Sequence, residues 1–199
     1  PKAEAEAVFN RLVYEYDGAE TASSAEARAL DDWLFHRFIR LARSHDIPVQ
    51  LHTGHLAGNG GDIRKSNAAQ LIPLLALHSD VRFDLFHANW PYMDECLFIC
   101  KNYPNAYLNF CWTHIIDPAY CVEMMKRAVM TIPHSKIFAF GGDTQRIEWT
   151  IGYLLTAKDN VAAALSDLVD TGWLGREDAF RMAKDWFFHN PNEMYKLGL

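Results

Sequence analysis

The sequence predicts an α/β fold built on a parallel sheet. Four short apolar runs have the composition of β-strands, and helical patterns of apolar residues lie between and after them. Strand and helix alternate without long gaps, which is typical of a parallel sheet with helical crossovers. Three of the four runs also end on a histidine or an aspartate, at the strand end where α/β proteins carry their chemistry.

The composition excludes several classes of function. Half of the 199 residues are hydrophobic, which suits one well-packed domain over residues 1–199. The 19 Lys and Arg residues and the 25 Asp and Glu residues give a net charge of −6, with no basic cluster. We therefore expect no nucleic acid as a partner. No apolar run approaches the roughly 18 residues of a membrane span, so we expect no membrane partner either.

The cysteines predict a reducing environment. They include no C-x-x-C pair and lie mostly within apolar patterns, as buried free thiols do. A cytoplasmic location follows as the expectation. The first residue is not Met, so we expect the chain to be part of a longer protein. The four thiols belong to Cys96, Cys100, Cys111 and Cys121.

Two helical patterns precede the first strand. Residues 3–16 repeat apolar side chains on one helical face. Ser23 and Glu26 have the form of a capping box, which begins a second helix that runs to about His45. The first strand is the run 47–52, a buried parallel strand that delivers His52 to its C-terminal end.

Three further strand and helix units follow. The loop 53–66 is rich in glycine but lacks the spacing of a phosphate-binding or dinucleotide-binding loop, so it is interpreted as a mobile loop that contacts substrate. Pro91 is predicted to be the first residue of a helix, and Asp117 with Pro118 forms an N-cap and N1 pair. The predicted strands are 81–87, 105–110 and 136–143, and the predicted helices are 67–78, 91–102, 118–130, 145–157, 160–171, 176–188 and a short one from Asn190.

Three side chains form a candidate metal site. His52, His87 and Asp143 end the first, second and fourth strands, and parallel strands bring these ends to one rim of the sheet. Neutral imidazoles and a carboxylate suit Zn²⁺ or another first-row divalent ion. Three ligands make an incomplete site in this chain, so we expect the isolated chain to bind Zn²⁺ weakly or not at all. Asp143 could instead be the N-cap of the following helix.

Other rim residues are candidates for contact with substrate. His55 lies three residues beyond His52 and is expected to be a loop residue and not a ligand, with a contact to substrate still open. Trp90 and His114 are the other candidate substrate contacts. Four tryptophans and the remaining histidines are interpreted as packing or solvated residues: Trp112, Trp149, Trp173, Trp186, His36, His45, His78, His134 and His189.

Four motifs resemble the last four strands of the amidohydrolase superfamily, in the amidohydrolase-related branch that includes metal-dependent decarboxylases. The resemblance covers about residues 3–197 and implies a (β/α)8 TIM barrel, of which this chain is the C-terminal half. It further implies that His52 ligates metal, that His87 orients or activates water or substrate, and that Asp143 binds metal and acts as base. The motifs are Pro48–Gly54 (PVQLHTG), Leu85–Pro91 (LFHANWP), Asn105–Asn109 (NAYLN) and Ile137–Thr144 (IFAFGGDT).

The resemblance predicts a metal-dependent hydrolase in which activated water attacks a small-molecule substrate at the barrel mouth. A decarboxylase or a sugar-acid isomerase on the same fold is the alternative enzyme, and a non-catalytic half-barrel is the alternative class. The family's first strand carries a His-x-His pair, and this sequence contains none. We therefore expect a homo-oligomer, or a missing N-terminal half-barrel, to cover an apolar inner sheet face and the open strand edges.

Overall fold

The computed structural model describes residues 2–14, 22–56, 58 and 60–199. Within them the chain forms two compact units, which meet in sequence between Ile47 and Pro48. That division leaves the single-domain expectation a prediction. None of the helices in these ranges combines the length and the apolarity that crossing a membrane would require.

The first unit is a pair of helices, α1 (Lys2–Tyr14) and α2 (Ser24–Ser44), that pack against each other. The predicted capping box is confirmed, because the Ser23 side chain accepts from Glu26 N and the Glu26 carboxylate accepts from Ser23 N. Arg11 pairs with the same carboxylate at 2.7 Å and so connects the two helices. Residues 15 and 16 of the predicted first helix lie outside the described residues.

The second unit contains the predicted parallel sheet. Its strands are β1 (Val49–His52), β2 (Phe83–Phe86), β3 (Ala106–Asn109) and β4 (Ile137–Phe138), in the order 1-2-3-4. All three pairings are parallel. The helices are α3 (Ile72–Leu77), α4 (Met93–Asn102), α5 (Thr113–Ile116), α6 (Pro118–Thr131), α7 (Ile147–Asp170), α8 (Arg176–Lys184) and α9 (Asn190–Tyr195), with a π-helical turn (Asp185–His189) joining the last two.

The two faces of the sheet differ in character. Leu51, Leu85, Leu108 and Ile137 are in register across the four strands and are all buried, which makes one face the apolar core. The opposite face presents Gln50, His52, Asp84, Phe86, Tyr107, Asn109 and Phe138. The expectation of a wholly apolar inner face is therefore wrong, because polar side chains share that side with Phe86 and Phe138. A partner for the open strand edges stays a prediction.

Strand β4 is shorter than the predicted run 136–143. The backbone of Ala139 leaves the ladder, because its N–H donates to Trp186 O at 3.0 Å and its carbonyl accepts from the His114 ring. Asp143 therefore lies in a loop before α7, and α7 has its N-cap at Arg146. The alternative role of Asp143 as an N-cap is wrong.

Two helix predictions are also wrong. Residues 147–170 form one helix, because Asn160 stays helical and turns its side-chain amide to His114, 3.3 Å from both the ring Nδ1 and the backbone carbonyl. Pro91 lies before α4, which begins at Met93. By contrast, Asp117 caps α6 as predicted, with its carboxylate accepting from Tyr120 N at 3.0 Å.

We expect Gly54→Ala to lower the free energy of unfolding by about 2–4 kcal/mol. Gly54 has φ +68°, and a Cβ there would lie 2.3 Å from Trp90 O. The control is Gly152→Ala in α7, where a Cβ meets no atom within 4 Å. Since alanine is the better helix former, that change should raise stability by about 1 kcal/mol. Urea unfolding measures both, and an equally stable Gly54→Ala variant would contradict the packing described.

Candidate metal centre

Three strand ends bring His52, His87 and Asp143 together. Their nearest donor atoms all lie within 4.8 Å of one another. The two Nε2 atoms of His52 and His87 are 2.7 Å apart, and Asp143 Oδ2 lies 3.5 Å from His87 Nε2. The His87 side chain is completely buried, whereas the Asp143 side chain is 45% exposed, so the cluster opens toward solvent on the carboxylate side.

The tautomer of His87 follows from its hydrogen bond. Its Nδ1 lies 2.8 Å from the carbonyl oxygen of Cys111, which can only accept. Nδ1 therefore carries the proton, and Nε2 of the neutral ring accepts from His52 Nε2 at 2.7 Å. The His52 proton must move from Nε2 to Nδ1 before His52 Nε2 can coordinate a metal ion. A metal-ligating histidine is oriented in the same way, by a carbonyl or carboxylate on its second nitrogen.

Loss of hydration favours the neutral form of both imidazoles. It lowers the pKa of His52 and of His87 from the ordinary histidine value, because the charged ring would lose water contacts. The Asp143 carboxylate acts in the opposite direction on both rings, with a smaller effect. Neutral imidazole is the form that coordinates a metal ion.

The backbone is left-handed at the ends of β2 and β3 and beyond β4. The φ angles are +63° at His87, +57° at Trp112 and +40° at Asp143, and Ala88 and Asn89 continue the left-handed turn after His87. Such angles cost non-glycine residues about 1–3 kcal/mol each and tend to occur at functional sites. These left-handed residues change the direction of the backbone after each of the three strands.

Buried side chains hold the left-handed turn after β2. Asn89 Oδ1 accepts from Ala68 N at 2.8 Å, and its Nδ2 donates to Tyr92 O at 2.9 Å. The Tyr120 hydroxyl donates to Ala88 O at 2.9 Å. These bonds come from three different segments of the chain, so the unfavourable backbone is fixed from outside the turn.

The end of β1 is attached to the end of β2. Thr53 Oγ1 donates to Phe86 O at 2.6 Å, and Gly54 N donates to Ser66 O at 2.7 Å. The Ser66 hydroxyl in turn donates to Gly54 O. Residues 53, 54 and 66 of the glycine-rich loop are therefore fixed to the sheet, close to His52.

Three aromatic rings lie beside the metal-site histidines. The His55 ring is 5.8 Å from the Trp90 ring and 5.4 Å from the Trp112 ring, and the Trp112 ring is 6.1 Å from that of His87. His55 and Trp90 thus lie in one aromatic group with Trp112, and their contact with substrate stays a prediction. Trp112 was interpreted as packing, and the structure adds it to this wall. No periodicity signals it, because the left-handed backbone at Trp112 determines where its ring lies.

His114 differs from the other predicted substrate contacts. Its side chain is buried, its Nε2 lies 2.6 Å from Ala139 O, and its Nδ1 lies 3.3 Å from the Asn160 amide. Both ring nitrogens are thus engaged within the protein, and this geometry leaves neither for a substrate. The rim position expected from the sequence is wrong, because α5 turns the ring inward.

The donor set fits a divalent metal ion. Two neutral Nε2 atoms face each other, a carboxylate oxygen lies beside them, and the proton of His87 is on the nitrogen that points away. Two His and one carboxylate are ligands that Zn²⁺ and other first-row ions accept. Among the described residues, this group of His, Cys, Asp and Glu side chains is the one with metal-binding geometry.

A parallel α/β sheet with histidine and aspartate beyond the C-terminal ends of its strands is the arrangement in which barrel enzymes carry their sites. A family model described as Amidohydrolase matches residues 14–195, and the chain belongs to the amidohydrolase family. Protein fluG from Emericella nidulans is 29% identical over 185 residues, which are 90% of this chain and 21% of that protein.

Solved structures share the fold. A Lactobacillus casei protein described as a candidate metal-dependent hydrolase superposes with a TM-score of 0.78 at 18% identity, covering 100% of this chain and 50% of that one. A uronate isomerase from Thermotoga maritima (TM-score 0.78, 12% identity) is covered to 46% by 98% of this chain. A glucuronate isomerase from Caulobacter crescentus (TM-score 0.75, 19% identity) is covered to 44% by the whole chain.

These likenesses confirm the fold class. The chain is of the (β/α)8 TIM-barrel type and contains four β/α units followed by C-terminal helices. It spans about half the length of these solved structures and about a fifth of the curated relative.

The buried ring of His114 should make the protein less stable in acid. Burial lowers the pKa of its ring to about 4 from the usual 6.5. Between these values the unfolded chain binds the proton and the folded chain does not, so stability falls as pH drops through 6.5 and levels off below about 4. The gap corresponds to about 3 kcal/mol.

We expect His114→Gln to flatten this part of the pH profile of unfolding free energy, measured by urea unfolding between neutral and mildly acidic pH. His189→Gln, which changes an exposed histidine, is the control and should keep the wild-type slope. An unchanged slope in His114→Gln would mean that the buried ring is not responsible.

Proposed function

We propose that this chain contributes a metal centre for the hydrolysis of a small-molecule substrate. The observation that carries the proposal is the convergence of His52 Nε2, His87 Nε2 and the Asp143 carboxylate on one point at the mouth of the sheet. Hydrolysis is the reaction that this donor set serves when water is the attacking group.

The residues have distinct roles in the proposal. His52, His87 and Asp143 would hold the metal, and Zn²⁺ is the ion that suits their imidazole and carboxylate donors. A divalent ion held there would lower the pKa of water toward 7. The exposed Asp143 carboxylate would accept a proton from water, since it stands on the solvent side of the cluster. His87, with its Nδ1–H engaged by Cys111 O, keeps Nε2 directed into the cluster, toward the metal position and the water or substrate beside it.

Aromatic side chains would orient the substrate. His55, Trp90 and Trp112 form a wall next to His87, and such rings favour a flat or apolar part of a small molecule. The Trp90 indole N–H donates to Asp117 Oδ2 at 3.2 Å, which fixes its ring plane.

Two other reactions use the same donors. Two of the similar structures carry names of sugar-acid isomerases, and their likeness to this chain extends to the fold. Isomerisation of a sugar acid is therefore one alternative, and decarboxylation is another, since fold does not determine reaction. A non-catalytic half-barrel is the third.

The proposal also concerns the whole protein. The chain spans about half of its solved relatives, and three ligands leave coordination positions open. Four further strands, from a longer polypeptide or from a second copy, would pair with the open edges of β1 and β4. They would add ligands to the same rim. The activity therefore belongs to the completed barrel.

The metal site can be tested in this chain without a substrate. We expect Zn²⁺ or Co²⁺ to bind weakly enough for a chelator to remove it, because three donors are present. His52→Ala should abolish binding, and His189→Ala, outside the cluster, should leave it unchanged. Isothermal titration measures both. Binding that survives in His52→Ala would exclude this residue as a ligand.

Asp143→Asn should abolish turnover in the completed enzyme. The change is nearly isosteric but removes the base and the anionic ligand. Assays that follow hydrolysis, carbon dioxide release and aldose–ketose interconversion separately distinguish the three reactions. The control is Asp178→Asn on α8, a half-exposed carboxylate paired with Arg181, which should keep wild-type turnover. Activity of Asp143→Asn within a few-fold of wild type would exclude the role given to Asp143.

A further inference from the structure

A partly buried polar network lies on the sheet face that carries His52, outside the candidate metal centre itself. Its members are Gln50 on β1, Asp84 on β2, Asn109 on β3 and Tyr195 at the end of α9. None of them belongs to the cluster of donor atoms. We propose that Asn109 is a positioning residue for His87, and that Asp84 and Tyr195 hold Asn109 in place. This inference rests on the proposed role of His87.

The link from Asn109 to His87 passes through Cys111. Asn109 Oδ1 accepts from Cys111 N at 2.8 Å, and Cys111 O accepts from His87 Nδ1 at 2.8 Å. Thr113 N donates to the same carbonyl at 2.7 Å. The Cys111 residue is thus held at its N–H by Asn109 and at its carbonyl by His87 and Thr113. Without Asn109, the buried Cys111 N–H loses its partner, and the turn loses one of the hydrogen bonds that fix the direction of the Cys111 carbonyl.

The orientation of the Asn109 amide is determined at both ends. Its Oδ1 must accept, because the group opposite is the Cys111 N–H, and its Nδ2 donates to Asp84 Oδ2 at 2.9 Å. Reversing the amide would set a donor against Cys111 N–H and an acceptor against a carboxylate. Asn109 therefore has one arrangement that satisfies both neighbours.

Asp84 holds the Asn109 amide by a hydrogen bond. Its side chain is completely buried, and Oδ2 accepts from both Asn109 Nδ2 and the Tyr195 hydroxyl. Gln50 Nε2 donates to the Tyr195 oxygen at 2.7 Å. The hydroxyl of Tyr195 thus bridges β1 and β2, and its proton is committed to Asp84.

The outcome of this chain of contacts is a single tautomer of His87. Holding the Cys111 carbonyl against Nδ1 keeps the proton on that atom and leaves Nε2 as the donor to the metal centre. Partners of this indirect kind change metal affinity by about 10–100-fold when they are removed. Packing alone would allow either tautomer of His87, whereas these hydrogen bonds favour the tautomer with its proton on Nδ1.

The experiment uses histidine-labelled protein without metal. Long-range ¹H–¹⁵N correlation spectra at mildly alkaline pH distinguish a protonated from an unprotonated ring nitrogen. In the wild type we expect His87 to show protonated Nδ1 alone. In Asn109→Ala we expect a mixture of the two tautomers and a Zn²⁺ affinity lowered by about 10-fold.

Two further variants make the result specific. Asn105→Ala removes a buried amide that donates to Leu75 O and His78 O, and it should leave both the tautomer and the metal affinity unchanged. Tyr195→Phe removes one hydroxyl at the far end of the network and should give a smaller fraction of the second tautomer. It tests the proposal if Asn109→Ala does not fold.

The outcomes separate this inference from the proposed function. A single Nδ1–H tautomer in folded Asn109→Ala, or in Tyr195→Phe where Asn109→Ala does not fold, overturns the positioning role. An equal change in Asn105→Ala overturns it as well. A tautomer change in Asn109→Ala in a protein whose wild type binds no metal supports the positioning role, and it counts against the proposed function alone.

Discussion

The hydrogen bond from His87 Nδ1 to the Cys111 carbonyl is the interaction on which the candidate metal centre depends. It joins the end of β2 to the end of β3, and it assigns the proton of a ring that faces two other possible ligands. Parallel pairing brings the strand ends together, but pairing alone leaves imidazole rings free to choose a tautomer. The Cys111 carbonyl favours the His87 tautomer that carries its proton on Nδ1.

Backbone strain is concentrated at the same rim. His87, Trp112 and Asp143 have left-handed angles, and buried hydrogen bonds from other segments hold the turn after β2 in that state. Interactions in the surrounding core must offset the free-energy cost of this strained backbone. Loss of the Tyr120 hydroxyl would therefore reach the candidate metal centre, although Tyr120 is no part of the donor cluster.

The sequence predicts which residues end the strands, but it does not predict the left-handed backbone turns that follow them. The strand ends at His52 and His87 could be read from apolar runs that stop on histidine, and Asp117 before Pro118 signalled α6 correctly. Trp112 could not be found, since a left-handed residue follows no periodic pattern. The polar sheet face was missed because strand alternation does not say which side meets the helices.

The contacts of Tyr195 are expected to form late in folding. Its hydroxyl meets Gln50, which lies 145 residues earlier in the chain, and Asp84, which lies 111 residues earlier. Contacts between such distant segments close large loops, and the entropy of closure must be overcome before they contribute stability. The sheet can therefore pair strand by strand, while the arrangement behind His87 waits for the last helix to dock. We expect a nascent chain to have its fold well before it has a competent site.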